Sequence, residues 1–205
     1  MKERRKLEKQ MRRTQILDAA RKLLFSQGIE KVSISKISKE AELGVGTIYF
    51  HYKNKEEIFI ALQQEGLSIL FSIVSQAAQA NLDPDEKLRH IAQVYYDFYQ
   101  THSEYYNIIN YFLSPTKVFF KPDLKQKVDL AGGKILTLIQ SIIETGNQTV
   151  FFMERDPAKF SVMFLGTIHG LVQFRKLEHT TLGKEQHKTI YEYSVEKLIQ
   201  SIVWE

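Results

Sequence analysis

The sequence predicts an all-α protein of about nine helices, with three short N-terminal segments in a helix-turn-helix spacing and a larger helical part behind them. Three observations carry this. Apolar residues recur at helical spacing along nearly the whole chain, and strand-like alternation is hard to find. Side chains that cap helix ends stand at the starts of several of these segments. The 205 residues, 43% hydrophobic and 25% charged, include only 4 prolines and 10 glycines, which suits a globular helical chain and excludes a disordered or collagen-like one.

Taken in order, Ile16, Ala20, Leu23 and Leu24 share one face of a helix from Leu7 to Gln27, which Gly28 stops. Ser33 is an N-cap for a short second helix with Ile34, Ile37 and Ala41 inward. The pattern breaks at Glu42 to Gly44, and a third short helix follows from Val45 to Tyr52. Asn54 with Glu57 resembles a capping box and opens a fourth helix, in which Ile58, Leu62, Ile69 and Ile73 continue to Ala80. After the turn at Asn81-Leu82-Asp83-Pro84, helices are expected over Pro84 to Thr101, Ser103 to Leu113, Lys121 to Thr145, Pro157 to His179 and Lys184 to Val203. Asp156-Pro157 is a clear start: a capping carboxylate, then a proline where its missing N–H costs nothing. Ser114 to Pro122, with Val118, Phe119 and Phe120 between two prolines, reads as the main interior loop. With no linker composition anywhere, the domain boundary is placed inside or beside the fourth helix, dividing residues 1–60 from 61–205.

Composition narrows the chemistry. Zero cysteines exclude disulfides, thiolate metal sites and cysteine nucleophiles, and make a cytoplasmic location the default expectation. The basic first residues are not followed by an apolar run, so no signal peptide is expected. No stretch approaches the roughly 18 consecutive apolar residues of a membrane span, and no membrane partner is expected. The six histidines are scattered, with no i, i+4 pair and no His-Glu-x-x-His pattern. Gly132-Gly133-Lys134 lacks the strand and spacing of a phosphate loop and reads as a loosened or closely packed helical turn. Catalysis, metals and cofactors are therefore not expected. Charge is asymmetric: residues 1–60 carry 14 Lys/Arg against 8 Asp/Glu, a net +6, while the remainder carries 14 against 16, a net −2. A basic end suits a nucleic-acid or anionic-surface reader.

Two short helices joined by a tight turn, 33–41 and 45–52, make a helix-turn-helix whose second helix can enter the roughly 12 Å major groove. The stretch from Gly46 through Tyr49-Phe50-His51-Tyr52 to Lys55 closely resembles the recognition region of TetR-family transcriptional regulators. The likeness extends over about residues 10–70, including Ile16 to Ala20, the Gly28 stop and Ile37 to Ala41. Where many members carry glycine after the alanine of the second helix, this sequence has Glu42 and Leu43, so Gly44 is expected to take the strained turn position. By resemblance, Ser33, Tyr49, His51 and Lys55 contact phosphates, while Ser35, Lys36, Val45, Gly46 and Thr47 sit where base edges are read. Lys55 in the first turn of a helix opposes the positive end of its dipole, a conflict that a phosphate relieves. The basic arm before the first helix has two readings, a backbone-tracking element or a solubilising tail.

In Pro157 to His179 hardly any face is polar, so that helix must be buried on more than one side, and a partner subunit is the economical cover. Phe164, Gly166, Gly170, Leu171 and Phe174, with Val195, Leu198 and Ile202 of the last helix, are the candidate homodimer interface, as the family's two C-terminal helices imply. Two recognition helices about 34 Å apart would then read a palindromic operator in double-stranded DNA. Ten aromatics crowd residues 95–120 and are either plain core or the lining of a cavity for an apolar or aromatic ligand with a polar end. With the family's effector sites in mind, Tyr95, Tyr99, Phe112 and His169 are the candidate effector contacts. The expected function is a ligand-responsive DNA-binding regulator, by the family's habit a repressor released by its effector. The alternative is a helical small-molecule carrier whose helix-turn-helix reads no specific sequence.

Overall fold

The computed structural model describes residues 2–113, 122–177, 180 and 184–204, with the backbone alone at 122–131, 176, 184 and 185. The described residues form nine α-helices: α1 (Lys2–Gln27), α2 (Ile34–Glu40), α3 (Val45–His51), α4 (Lys55–Gln79), α5 (Pro84–Thr101), α6 (Ser103–Leu113), α7 (Pro122–Gln148), α8 (Pro157–Phe174) and α9 (Lys184–Gln200). Short 3-10 turns follow α1 and α8. The fold is all-α; among the described residues the one β-bridge joins Phe152 to Val203 and ties the α7–α8 connection to the end of α9. The expected loop at 114–122 lies almost wholly outside the described residues.

Two compact units emerge: Met1–Leu67 with Glu104–Val128, and Ser68–Ser103 with Asp129–Glu205. The division falls within α4, between Leu67 and Ser68, where sequence places it at 60/61. It also adds α6 to the first unit, which no local pattern announces.

In the first unit, Ile16, Ala20 and Leu24 of α1 meet Ile37 of α2, Ile48 of α3 and Ile58 and Leu62 of α4 in one apolar core, and Ile108 and Phe112 of α6 join it. Each fully buried isoleucine here contributes about 2 kcal/mol of transfer free energy. Polar ties fix the helices around that core. Gln15 Nε2 donates to the Ala41 carbonyl at 2.7 Å, holding α1 against the end of α2. Arg21 reaches from α1 to both carboxylate oxygens of Glu65 on α4, each at 2.9 Å. Gly66, beside it, is required by packing: a Cβ there would stand 2.8 Å from the Tyr105 side chain of α6.

In the second unit, α5, α8 and α9 pack through Phe160, Phe164, Ile168 and Val172 of α8, spaced along one face, and Tyr191, Val195 and Ile199 of α9. Tyr191 Oη donates to the Ala92 carbonyl at 2.7 Å. Arg89 on α5 is engaged by Asp85 and by both oxygens of Glu196 on α9, the latter at 2.8 and 3.0 Å. Asp156 caps α8 as expected, accepting from the Lys159 N–H at 3.0 Å.

Several expectations change. The first helix begins at Lys2, so the basic arm is helical and continuous with α1. The left-handed position in the α2–α3 turn belongs to Glu42, at φ 52°, and not to Gly44, whose φ is −64°. Ser38 explains the choice: its Oγ donates to the Leu43 carbonyl at 2.5 Å and its carbonyl accepts the Leu43 N–H at 3.0 Å, closing the turn before Gly44 is reached. Helix α7 runs through Gly132 and Gly133 without a break. Helix α8 ends at Phe174, and α9 ends at Gln200 because Ile202 and Val203 turn into the bridge. Phe164, Val195 and Ile202, expected on the subunit interface, are buried inside the chain; they serve the inward stripes of α8 and the C-terminal segment. Helix α4 is long and apolar enough to cross a membrane by length and composition, but half of that stretch is buried in the protein.

Two substitutions test this packing. Glu42→Gly relieves the left-handed strain and raises unfolding free energy by about 0.5–1 kcal/mol, whereas Gly66→Ala lowers it by about 1–3 kcal/mol through overpacking against Tyr105. Both are read from urea midpoints at a fixed protein concentration.

Candidate nucleic-acid interface

Helix α3 has seven residues and one fully buried anchor, Ile48. Around it, Val45, Tyr49 (52% exposed) and Phe50 (78% exposed) face solvent, while Thr47 and His51 are half-buried. Leaving two aromatic rings and a valine in water on so short a helix costs hydrophobic free energy that covering them recovers. Gly46 lies on the same side, and a Cβ there would meet nothing within 4 Å. Among the described residues no contact requires a glycine at this helical position.

Ser33 is the N-cap of α2, its hydroxyl accepting the Lys36 N–H at 3.3 Å, and Ser35 is exposed beside it. The Lys36 ammonium is turned back, donating to Gln27 Oε1 at 2.7 Å and to the Lys31 carbonyl at 2.9 Å. It must release these to reach a base edge. Lys55 opens α4 with its Nζ over the Phe59 ring at 5.4 Å. The start of α4 is closed reciprocally, Asn54 Oδ1 accepting the Glu57 N–H at 2.9 Å and Glu57 accepting the Lys53 N–H at 2.8 Å. The positions Ser33, Ser35, Lys36, Val45, Gly46, Thr47, Tyr49, His51 and Lys55 thus lie along α2, α3 and the first turn of α4.

Sequence reasoning passed over two residues of this surface. Phe50 lies in the recognition stretch without an assigned role, yet it stands off the buried Ile48 and Tyr52 and is exposed, and that offset was a usable signal. Arg13 of α1 donates to the His51 carbonyl at 3.3 Å and stacks its guanidinium over the Tyr52 ring at 4.5 Å, a contact across 38 residues that no local pattern shows. Burial holds the His51 imidazole below its ordinary pKa, helped by the charges of Arg13, Lys9 and Arg12.

The expected effector residues separate. Phe112 belongs to the core of the first unit. Tyr95, Tyr99 and His169 lie in the second, where Tyr95 Oη and His169 Nδ1 are 2.7 Å apart, linking α5 to α8. Burial depresses the His169 pKa. Tyr99, one turn along α5, faces the Arg175 guanidinium at 5.2 Å, and Arg175 donates to Gln100 at 2.7 Å. Arg175 is a cation that sequence reasoning did not place near this cluster. Of the expected interface residues, Phe174 and Gly166 are exposed and Gly170, Leu171 and Leu198 half-buried; Val162, Met163, Ile190 and Tyr193 are further exposed apolar residues of α8 and α9. Among the described residues, no three His, Asp or Glu side chains converge as a metal site.

Residues 16–62, which span the core of α1 through the first turns of α4, match the family model of the bacterial regulatory proteins of the tetR family. The match covers the N-terminal helix-turn-helix segment and leaves the rest of the chain outside it. It is 33% identical over 81 residues to the fatty acid metabolism regulator protein of Bacillus subtilis, covering 40% of this chain and 42% of that relative. The chain thus aligns with less than half of the relative's length. Solved structures share the fold over nearly the whole chain. The transcriptional regulator FadR from Bacillus subtilis in complex with stearoyl-CoA superposes with a TM-score of 0.73 at 23% identity, over 92% of this chain and 98% of that one. AibR in complex with isovaleryl coenzyme A and operator DNA gives 0.71 at 20% identity, again over 92% and 98%.

Gly46→Ala separates folding from recognition. The variant should be at least as stable as the parent, by up to about 1 kcal/mol, and should bind duplex DNA tenfold or more weakly; unchanged affinity would place this face away from nucleic acid.

Proposed function

We propose that the chain is a cytoplasmic, non-catalytic transcriptional regulator that binds a palindromic operator as a homodimer and releases it when a small apolar effector binds. The observation that carries this reading is the outward face of α3: a helix fixed by Ile48 alone presents Val45, Gly46, Thr47, Tyr49 and Phe50 beside the cations Lys53 and Lys55. Apolar groups there suit thymine methyls, hydroxyls suit base edges or phosphates, and the flanking cations suit the backbone. In this reading residues 1–60 are the reader and 61–205 hold the effector and the partner subunit.

The exposed stripe of Val162, Met163, Gly166 and Phe174 on α8, with Ile190 and Tyr193 on α9, supports the homodimer, since a second copy covers apolar surface that one chain leaves open. For the effector, the part-buried Tyr95–His169 pair and the Tyr99–Arg175 contact bring together aromatic rings with hydroxyl, imidazole and guanidinium groups. That chemistry suits an apolar chain ending in an anionic head. The acyl-CoA complexes of the FadR and AibR structures point the same way, and an acyl-CoA thioester is the class we propose. Repression follows if the bound dimer occludes a promoter, and effector release then needs only a higher effector affinity for the state with lower DNA affinity.

Selection of bound sequences from a random duplex pool, near physiological salt, tests the reading. A palindrome enriched by a dimer supports it; a folded dimer that enriches nothing overturns it. Addition of long- and short-chain acyl-CoA to the selected complex should release the DNA, and affinity that ignores the whole series overturns the effector assignment. On that operator, Tyr49→Ala and Lys55→Ala should weaken all duplexes alike, by about tenfold each, whereas Thr47→Ala should also change base preference. His51 adds a pH dependence. A phosphate brought to its ring favours the imidazolium, so the complex holds more protons than the free protein between the lowered pKa of the free ring and the higher pKa of the phosphate-bound one. Affinity therefore rises as pH falls through that window, and the rise should vanish in His51→Gln; equal pH profiles for both proteins would place His51 off the backbone.

A further inference from the structure

Within the first unit, α1 runs well past the core that it helps to build. Residues 2–12 are exposed throughout, and the first α1 residue buried in the core is Ile16. At 3.6 residues per turn, Lys2, Arg5, Lys6, Lys9 and Arg13 fall within about 100° of arc on one face. Followed inward, that face carries Ile16 and Ala20 into the core. Arg13 marks the junction through its contacts with the His51 carbonyl and the Tyr52 ring, so the basic stripe starts beside the C-terminal end of α3 and runs outward from it. The influence of the Lys9 and Arg12 charges on the His51 ring reports the same proximity.

The carboxylates of this segment lie off the stripe. Glu8 is engaged by Arg4 at 3.2 Å, on another side of the helix. Among the described residues Lys2, Arg5, Lys6 and Lys9 take part in no ion pair. Such a stripe works against its own helix: cations in the first turns oppose the dipole, and neighbours three and four apart repel one another. A row of external anions at matching intervals removes both conflicts. An anionic membrane suits the segment poorly. Only Leu7 and Met11 are apolar on the opposite face, a strip too narrow to insert, and Glu3 and Glu8 flank it.

We propose that the N-terminal extension of α1 is a phosphate rail: Lys2, Arg5, Lys6 and Lys9 follow the DNA backbone flanking the base pairs that α3 reads. The inference rests on the DNA-binding reading above. From Lys2 to Arg13 the helix rises about 16 Å, the length of about five base pairs at 3.4 Å each. The rail therefore adds affinity without sequence information and lengthens the duplex that each subunit occupies.

The test is the full-length variant Lys2→Gln, Arg5→Gln, Lys6→Gln, Lys9→Gln, whose substitutions are all exposed and favour helix, with its helicity checked by circular dichroism. Affinity for the selected operator is measured against salt, on a duplex with long flanks and on one trimmed flush with the palindrome. Each lost phosphate contact flattens the log–log salt slope by about 0.9, so four lost in each of the dimer's two arms flatten it by about 7. The wild type should also weaken on the trimmed duplex while the variant does not, and both should select the same palindrome. A wild type that selects a palindrome, paired with a variant of unchanged slope and unchanged response to trimming, overturns the rail and leaves the DNA reading intact. A wild type that selects nothing overturns both. Altered base preference in the flanks of the variant's selected sites, or a variant defect seen on anionic vesicles and not on DNA, also overturns the rail.

Discussion

The burial of Ile48 is the constraint on which the rest depends. Helix α3 is too short to hold itself together in water, since nucleation costs outweigh the few hydrogen bonds that seven residues make. One fully buried side chain, gripped by α1, α2 and α4, supplies what the helix lacks. Because a single position anchors it, nearly every other position is released to face outward, and a surface of aromatic rings, a hydroxyl and a bare glycine backbone becomes possible. The Ser38–Leu43 closure and the Gln15 tie to Ala41 serve the same end, fixing the turn that aims α3.

The cations follow from that geometry. Lys53 and Lys55 stand at the exit of α3, Arg13 crosses from α1 to its end, and the α1 extension continues the positive strip outward. Among the described residues none of Lys53, Lys55 and Arg13 is in an ion pair, although Arg13 is held by the His51 carbonyl and the Tyr52 ring. Lys55 opposes the α4 dipole, and the α1 stripe repels itself. Unfavourable local electrostatics concentrated on one side of one small unit has a simple physical resolution in a polyanion. The second unit, with net negative charge and exposed apolar stripes on α8 and α9, leaves a different kind of surface open, one that the proposed second copy would cover.

Much of this was legible in the sequence because the deciding signals are local. Helical periodicity, the Ser33 and Asp156 caps, the Asn54–Glu57 start and the Gly28 stop each act within four residues, and the structure places all of them as read. Signals that depend on distant partners were not legible. Glu42 takes the left-handed turn position because Ser38 closes the turn early, and the capacity of a glycine two residues on does not decide it. Phe164, Val195 and Ile202 are as apolar as any interface residue, and only the three-dimensional arrangement shows that they face inward. The same holds for Phe112, whose aromatic neighbourhood in sequence is shared by residues of both units, and for Arg175, which meets Tyr99 across 76 positions.

Oxidative footprinting of the side chains, with the protein free and bound to its selected duplex, tests the central claim most directly. Protection confined to Tyr49, Phe50 and His51, with Tyr193 and Phe174 unchanged on DNA binding, is the result predicted by an outward-facing α3 as the reader. Duplex binding that leaves Tyr49 and Phe50 as reactive as in the free protein would contradict it.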